Sequence, residues 1–142
     1  MRHTIIQPES WPQPRGYAHG VATSGRTLYV AGQIGWDTDY RYPSEDLPGQ
    51  FGKALDNVIE VVRAAGGEPT DVVNMTVYVT DVNEYRSSIR ELGPIWRERF
   101  GKHFPAMALV AVAALVEPRS KVEIQAVASL PEVGQGRRAG AD

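Results

Sequence analysis

The sequence contains no cysteine, which excludes disulfide bonds, thiolate metal sites and cysteine nucleophiles. It also lacks an excess of positive charge. The formal net charge of -2 predicts no general attraction to phosphate backbones or anionic membranes. No apolar run has the length of a signal peptide or a membrane span. Together these absences favour a cytoplasmic protein in a reducing compartment, with neither nucleic acid nor membrane as a partner.

Several catalytic patterns are missing as well. His3, His19 and His103 are scattered and have no shared helix face, so their spacing does not predict a metal site. No G-x-S-x-G motif occurs, and Ser24 is better explained as a turn residue than as a nucleophile. The sequence therefore indicates chemistry without a metal or a serine hydrolase triad.

The length of 142 residues is that of one domain. A hydrophobic content of 42% and a charged content of 23% are typical of globular proteins. Residues 132–142 have neither periodicity nor bulky side chains, which predicts a disordered tail. We therefore expect a single domain over residues 1–131.

The first half of the chain predicts a hairpin and a helix. Residues 17–34 form two β-rich runs around Ser24-Gly25, which is typical of a hairpin turn. Residues 35–48 contain prolines and acids without periodicity and should form a loop. In residues 49–67 apolar side chains recur every three or four positions, which predicts a helix that ends at Gly66-Gly67.

The second half predicts two strands flanking a helix, followed by a last strand. Residues 72–80 alternate with β-branched side chains. A helix should begin at Asp81 and run to about Phe100, kinked or divided at Gly93-Pro94. Residues 106–116 are almost wholly apolar, as in a strand covered on both faces.

Residues 121–130 predict the last strand. Val122, Ile124, Ala126 and Ala128 share one face by the two-residue period, so Glu123 should point away from that apolar face. An ordinary solvent-facing acid is the simplest interpretation of Glu123 from this pattern alone.

The resulting order, β-β-α-β-α-β-β, indicates an α+β domain with a mixed sheet and two helices on one face. Two helices cannot bury both sides of the apolar segment 106–116. The uncovered sheet face would then need a partner, which predicts a homo-oligomer.

Six segments resemble the Rid family, also called the YjgF family. They are RGYAHGV, YVAGQIGWD, ALDNVIEVVRAAGG, DVVNMTVYVTDVNEY, FPAMALV and KVEIQAVA. The resemblance runs from about Gly16 to about Ser129. It implies a chorismate-mutase-like subunit assembled as a homotrimer, with clefts between subunits. It also implies deamination of enamines or imines to carbonyl products and ammonia, with no cofactor.

The resemblance assigns site residues one by one. Tyr17 matches the aromatic residue of the family's G-P-Y stretch, where Arg15-Gly16 stands in place of the preceding residues. Gly32 and Gln33 match the S-G-Q-I block. Glu123 matches the acid near the reacting water. For the same cleft we expect backbone groups near Gly32 and Ala108 to hold polar atoms, and Trp36 and Met107 to form an apolar wall.

Position 107 departs from the family pattern. Deaminases of the family read P-A-R-S there, and the arginine holds the substrate carboxylate, whereas this chain reads P-A-M-A. A thioether makes no charge-assisted hydrogen bond, so the clamp should be weakened by about one to two powers of ten in affinity. Arg90 is a candidate replacement cation, although Ile89 competes for the matching position. Arg86, Arg97 and Arg99 are also available.

Met107 is open to two interpretations, which are compatible. It could be an ordinary packing residue of a strand, or it could mark a pocket retuned for a larger or less acidic substrate. The two interpretations of Met107 correspond to different hypotheses about the function. An imine or enamine hydrolase with Glu123 as the catalytic group is the main hypothesis, and a non-catalytic trimeric module that binds a small molecule or a protein is the alternative. An endoribonuclease or translation inhibitor is a weaker alternative, because the chain is acidic.

Overall fold

The computed structural model describes residues 2–132. The predicted tail lies almost entirely outside the described residues. Within them the chain forms six strands, two α-helices and one 3-10 turn. The strands are β1 (His3–Ile6), β2 (Gly20–Thr23), β3 (Arg26–Ile34), β4 (Val72–Val79), β5 (Ala106–Ala111) and β6 (Val122–Leu130); the helices are α1 (Leu47–Ala64) and α2 (Val82–Phe100), and the 3-10 turn is Pro69–Asp71.

The main sheet is mixed and has the strand order β3-β6-β4-β5. β6 is antiparallel to both β3 and β4, whereas β4 and β5 run parallel. A parallel pair needs a long crossover, and α2 supplies it. The α+β class with a mixed sheet and two helices on one face is therefore confirmed.

The core lies between the helices and one face of the sheet. Met75 and Val77 on β4 are fully buried, as are Leu55 and Val58 on α1. The alternation predicted for the last strand is present. The four residues predicted to form its apolar face are buried, namely Val122, Ile124, Ala126 and Ala128. The other face of the sheet, which we call the open face, carries no helix.

The predicted hairpin at Ser24-Gly25 is wrong in its pairing. The two β-rich runs do form strands, but β2 pairs with β1 and β3 pairs with β6. Gly25 has φ 133°, and a Cβ there would lie 2.1 Å from the carbonyl oxygen of Leu130. The chain thus passes tightly against β6 at this point and changes sheets. β1 was not predicted, because its four residues give too short a periodic signal.

Two further expectations for the second half need correction. The strand predicted over 106–116 ends at Ala111 and lies at the sheet edge, where one chain does not cover it on both faces. Of the two alternatives given for Gly93-Pro94, division is wrong, because α2 is one helix that contains Pro94. The start of α2 is as predicted: the carboxylate of Asp81 caps the helix and accepts hydrogen bonds from the backbone N–H groups of Asn83 and Glu84.

Candidate functional site

Glu123 lies on the open face of the sheet, as the two-residue period predicted. It pairs with Ile34 of β3 on one side and with Tyr78 of β4 on the other. A Cβ built on Gly32 would lie 2.2 Å from Glu123 Oε2. The carboxylate therefore lies directly over the backbone of Gly32, and only glycine leaves room for it there. The β3–β6 register shifts between Val30 and Gln33, which is the local irregularity that a bulge produces.

The open face brings two further polar side chains near Glu123. The hydroxyl of Tyr78 donates a hydrogen bond to Gln125 Oε1 at 3.1 Å, and Tyr78 is also the cross-strand partner of Glu123. Neither residue was assigned to the site from the sequence. The signal was present, because Met75, Val77 and Val79 are buried and the intervening Tyr78 must point to the opposite face.

Ala108 also lies on the open face, where it pairs with Thr76. It is exposed and its small side chain leaves space beside β4. Gln33 is half-buried, and its Nε2 donates to the carbonyl oxygen of Ala31 at 3.2 Å. Five of the eight residues assigned from sequence thus lie on strands of the main sheet, namely Gly32, Gln33, Met107, Ala108 and Glu123.

Met107 lies on the helix-covered side of the sheet. Its parallel partner is the fully buried Met75, so its side chain faces the core and not the open face. It lines a cavity of about 380 Å³ between α2 and the sheet, which we call the α2 cavity. Apolar side chains dominate its wall. They include Phe51, Val77, Tyr85, Leu92, Trp96, Phe104 and Leu109.

Tyr17 lies beside the start of β5, since the N–H of the next residue, Ala18, donates to the carbonyl oxygen of Pro105 at 2.9 Å. Its ring makes an edge contact with His19, with 5.2 Å between the centroids. Tyr17 lines a separate cavity of about 330 Å³. Gly16 and Phe104 line both this cavity and the α2 cavity. The two spaces are therefore neighbours on the helix side of β5.

Trp36 follows β3 and belongs to an aromatic cluster. Its ring centroid is 4.7 Å from that of Tyr40 and 6.2 Å from that of Tyr42. Asn57 Nδ2 donates to the Trp36 carbonyl oxygen at 2.9 Å, which ties the loop to α1. Trp36 does not line the α2 cavity.

The candidate replacement cations differ sharply in their surroundings. Arg90 is exposed and does not line the α2 cavity, whereas its neighbour Ile89 does. Arg99 donates two hydrogen bonds to the Asp56 carboxylate, at 2.7 and 3.3 Å, and is thereby occupied. Arg15, which the sequence analysis noted only as a departure from the family pattern, does line the cavity.

Among residues 2–132, no group of three or more histidine, aspartate or glutamate side chains is arranged to hold a metal ion. His103 instead has a structural position. Its Nε2 hydrogen bonds to the Val72 carbonyl oxygen at 2.7 Å. Burial lowers the pKa of His103, and this hydrogen bond opposes the effect. Neither helix of this part of the chain has the length and apolarity needed to cross a bilayer.

Comparison with known proteins agrees with the fold. The family described as Endoribonuclease L-PSP matches residues 10–130. The chain belongs to this family, to which the names Rid and YjgF are also attached.

Two similar proteins bear the name 2-iminobutanoate/2-iminopropanoate deaminase. The one from Homo sapiens is 38% identical over 104 residues, or 72% of each chain. The one from Capra hircus is 35% identical over 128 residues, which covers 87% of this chain and 88% of the relative.

The similarity extends to solved structures. A Rid family protein of unknown function from Yersinia pestis superposes with a TM-score of 0.82 at 34% identity, covering 92% of this chain and all of the other. A member of the YjgF/YER057c/UK114 family from Mycobacterium tuberculosis gives a TM-score of 0.62 at 33% identity, over 81% of this chain and 87% of the other.

Proposed function

We propose that this protein hydrolyses a reactive imine or enamine to a carbonyl product and ammonia, with Glu123 as the catalytic group. The position of the Glu123 carboxylate over Gly32 carries the proposal. The names of the deaminase relatives support the same reaction class. The names of the relatives indicate an imine as the substrate, and Glu123 of this chain supplies the carboxylate that would act on it.

The reaction requires one group to transfer a proton in each of two steps. Water adds to the carbon of the C=N bond as the carboxylate accepts one of its protons and passes it to the imine nitrogen, which forms a carbinolamine. The carboxylate then moves the hydroxyl proton of this intermediate to the amino nitrogen, the C–N bond breaks, ammonia leaves, and the C=O bond forms. A carboxylate suits both steps because it can accept a proton and return it. An enamine enters the same route once its carbon has been protonated.

Assembly of several copies completes the site in this proposal. Glu123 and Met107 lie on opposite faces of one sheet, so a single chain cannot place both beside one small substrate. The β5 edge and the uncovered open face would meet a neighbouring copy. A homotrimer with clefts between subunits is the arrangement that we expect, with Tyr17 orienting the substrate and Met107 contributing an apolar wall.

The first test is loss of the carboxylate. We expect purified protein to accelerate the decay of enzymatically generated 2-aminoacrylate, or of a bulkier imino acid, and Glu123→Gln to lower kcat by about 10²- to 10⁴-fold, the usual range for a general acid–base group. Ammonia release and carbonyl formation would both be followed.

Glu60→Gln is the matched control, because Glu60 is an exposed acid of α1. It should retain full activity. Full activity in Glu123→Gln, or no acceleration for any imine, would overturn the proposal. In the latter case ligand-dependent thermal stabilisation would favour the binding module, and RNA cleavage above a heat-killed control would favour the ribonuclease.

A further inference from the structure

The α2 cavity is apolar except for one charge. Of the described residues that line it, Arg15 is the only one that carries a formal charge. Arg15 is exposed to solvent and also lines the cavity, so this residue lies where the cavity opens. The volume of about 380 Å³ falls within the usual range for small-molecule sites. An apolar chamber with a cation at its mouth matches an amphipathic anion.

The surroundings of Arg15 leave its guanidinium available. Within residues 2–132 its side chain makes no hydrogen bond or ion pair. Three arginines elsewhere in this part of the chain are engaged: Arg2 contacts Asp71 at 2.8 Å, Arg99 contacts Asp56 at 2.7 Å and Arg119 pairs with Glu45. A guanidinium is a strong donor to carboxylates and can bind both oxygens at once.

The position of Arg15 relative to Met107 suggests an exchange of roles. Both residues line the same cavity. Arg15 lies three residues before Ala18, which forms a bridge with Ala106 at the start of β5, next to Met107. Met107 supplies apolar surface where an arginine would have placed a charge inside the cavity. Moving the cation from the wall to the mouth leaves the interior free for a hydrocarbon or aromatic group.

We propose that the α2 cavity binds carboxylates with a large apolar side chain, with Arg15 holding the carboxylate and the apolar wall around Met107, Leu92 and Trp96 enclosing the side chain. This rests on the proposed function, for which it names the substrate class: 2-imino acids, or the tautomeric enamines, derived from aromatic or large aliphatic amino acids. Short imino acids fill the apolar space poorly and are weaker ligands.

Binding of a stable analogue tests the proposal without turnover. The probe is 3-phenylpropanoate, compared with its neutral amide and with acetate, by isothermal titration calorimetry of the full chain. We expect the carboxylate to bind at least about tenfold more tightly than the amide, the lower end for a charge-assisted contact because Arg15 is exposed. Acetate should bind more weakly than 3-phenylpropanoate. Equal affinity for carboxylate and amide, or no binding of either, would overturn the proposal.

Variants assign the effect to Arg15. Arg15→Gln should abolish the preference for carboxylate over amide, while Arg90→Gln, which alters an exposed arginine outside the cavity, should preserve it. Adding Met107→Arg to Arg15→Gln should restore carboxylate binding and shift it towards acetate, because a cation then occupies the wall. A carboxylate preference that survives Arg15→Gln would contradict the assignment.

The two proposals fail in different ways. Glu123→Gln should bind 3-phenylpropanoate like the wild type if the α2 cavity recognises the ligand independently of catalysis. Imine hydrolysis that is unaffected by Arg15→Gln would remove the recognition proposal and leave the hydrolase standing. Arg15-dependent binding without Glu123-dependent turnover would do the reverse.

Discussion

At the scale of single residues, Gly32 is the backbone position over which the proposed catalytic carboxylate of Glu123 lies. An added methyl group would lie 2.2 Å from Glu123 Oε2 and 2.9 Å from its carboxyl carbon. We expect Gly32→Ala to displace the carboxylate and to lower kcat by about tenfold or more, since a shift of about 1 Å can cost that much in an aligned reaction. Steady-state imine hydrolysis measures the loss.

The matched control for this change is Gly20→Ala, because a Cβ there would meet only Ile6, at ordinary distances of 3.6 Å from its Cβ and 3.9 Å from its carbonyl oxygen. It should leave kcat unchanged. Thermal melts of both variants would separate a displaced carboxylate from a general loss of folding. Full activity of Gly32→Ala would show that the close approach of Glu123 has no catalytic consequence.

Position 107 shows how far a residue can be interpreted without its neighbours. The sequence indicated that a charge was missing from the family pattern and left Arg90 and Ile89 as competitors for a nearby helical position. The packing places Ile89 on the cavity and Arg90 outside it. It also brings in Arg15, which is 92 positions away from Met107 in the chain. No periodicity connects residues so far apart.

At the scale of elements, the connection between α2 and β5 is fastened by His103. Its Nε2 bonds to the Val72 carbonyl oxygen, and Trp96 Nε1 donates to the His103 carbonyl oxygen at 3.1 Å. Burial lowers the pKa of His103 from its ordinary value of 6.5. Between the lowered folded pKa and 6.5 the unfolded chain therefore binds more protons than the folded chain, and the free energy of unfolding decreases as the pH falls through this window.

His103→Gln should make this loss of stability shallower, because the amide can still donate to Val72 but does not titrate. Urea unfolding of the wild type and the variant at intervals from pH 7.5 to pH 5 measures the two slopes. A variant slope identical to that of the wild type would mean that other groups account for the pH dependence.

The elements also differ in how well their sequence revealed them. α1 was predicted because its apolar stripe and its terminal Gly66 agree, and Gly66 has φ 89°. Its cap was not predicted: the structure shows that the Asp46 carboxylate accepts from the Gly49 N–H at 2.9 Å. The pairing of β2 with β1 was not predicted, because each of these strands has only four residues and shows little periodicity. Local signals identify a strand, but hydrogen bonds to another segment decide its place.

At the scale of the whole molecule, the open face is the sheet surface that a single chain leaves uncovered. Tyr29 is 78% exposed and Val110 is 43% exposed, and both lie on strands of the main sheet. Beyond the bridge between Ala18 and Ala106, strand β5 also leaves one edge unpaired. Exposed apolar surface and a free edge favour association. We expect sedimentation equilibrium to give three times the 15.6 kDa mass of the chain.

Val110→Arg should shift that assembly towards monomers, because it places a charge in the middle of the expected interface, opposite Tyr78. Glu60→Arg, on the exposed side of α1, should leave the mass unchanged. If the trimer is required for the site, imine hydrolysis should fall together with the trimer fraction. A monomeric wild type with full activity would contradict the assembly.

The sequence by itself determined the two helices, the strands of the main sheet, the one-sided burial of β6 and the family, since each depends on local periodicity, caps or consecutive motifs. Only the tertiary structure decided that Glu123 lies over Gly32, that Met107 faces the helices, and that Arg15 shares its cavity. These relations depend on strand register and on which face a segment presents, and the long-range packing that fixes both leaves no trace in the spacing of neighbouring residues.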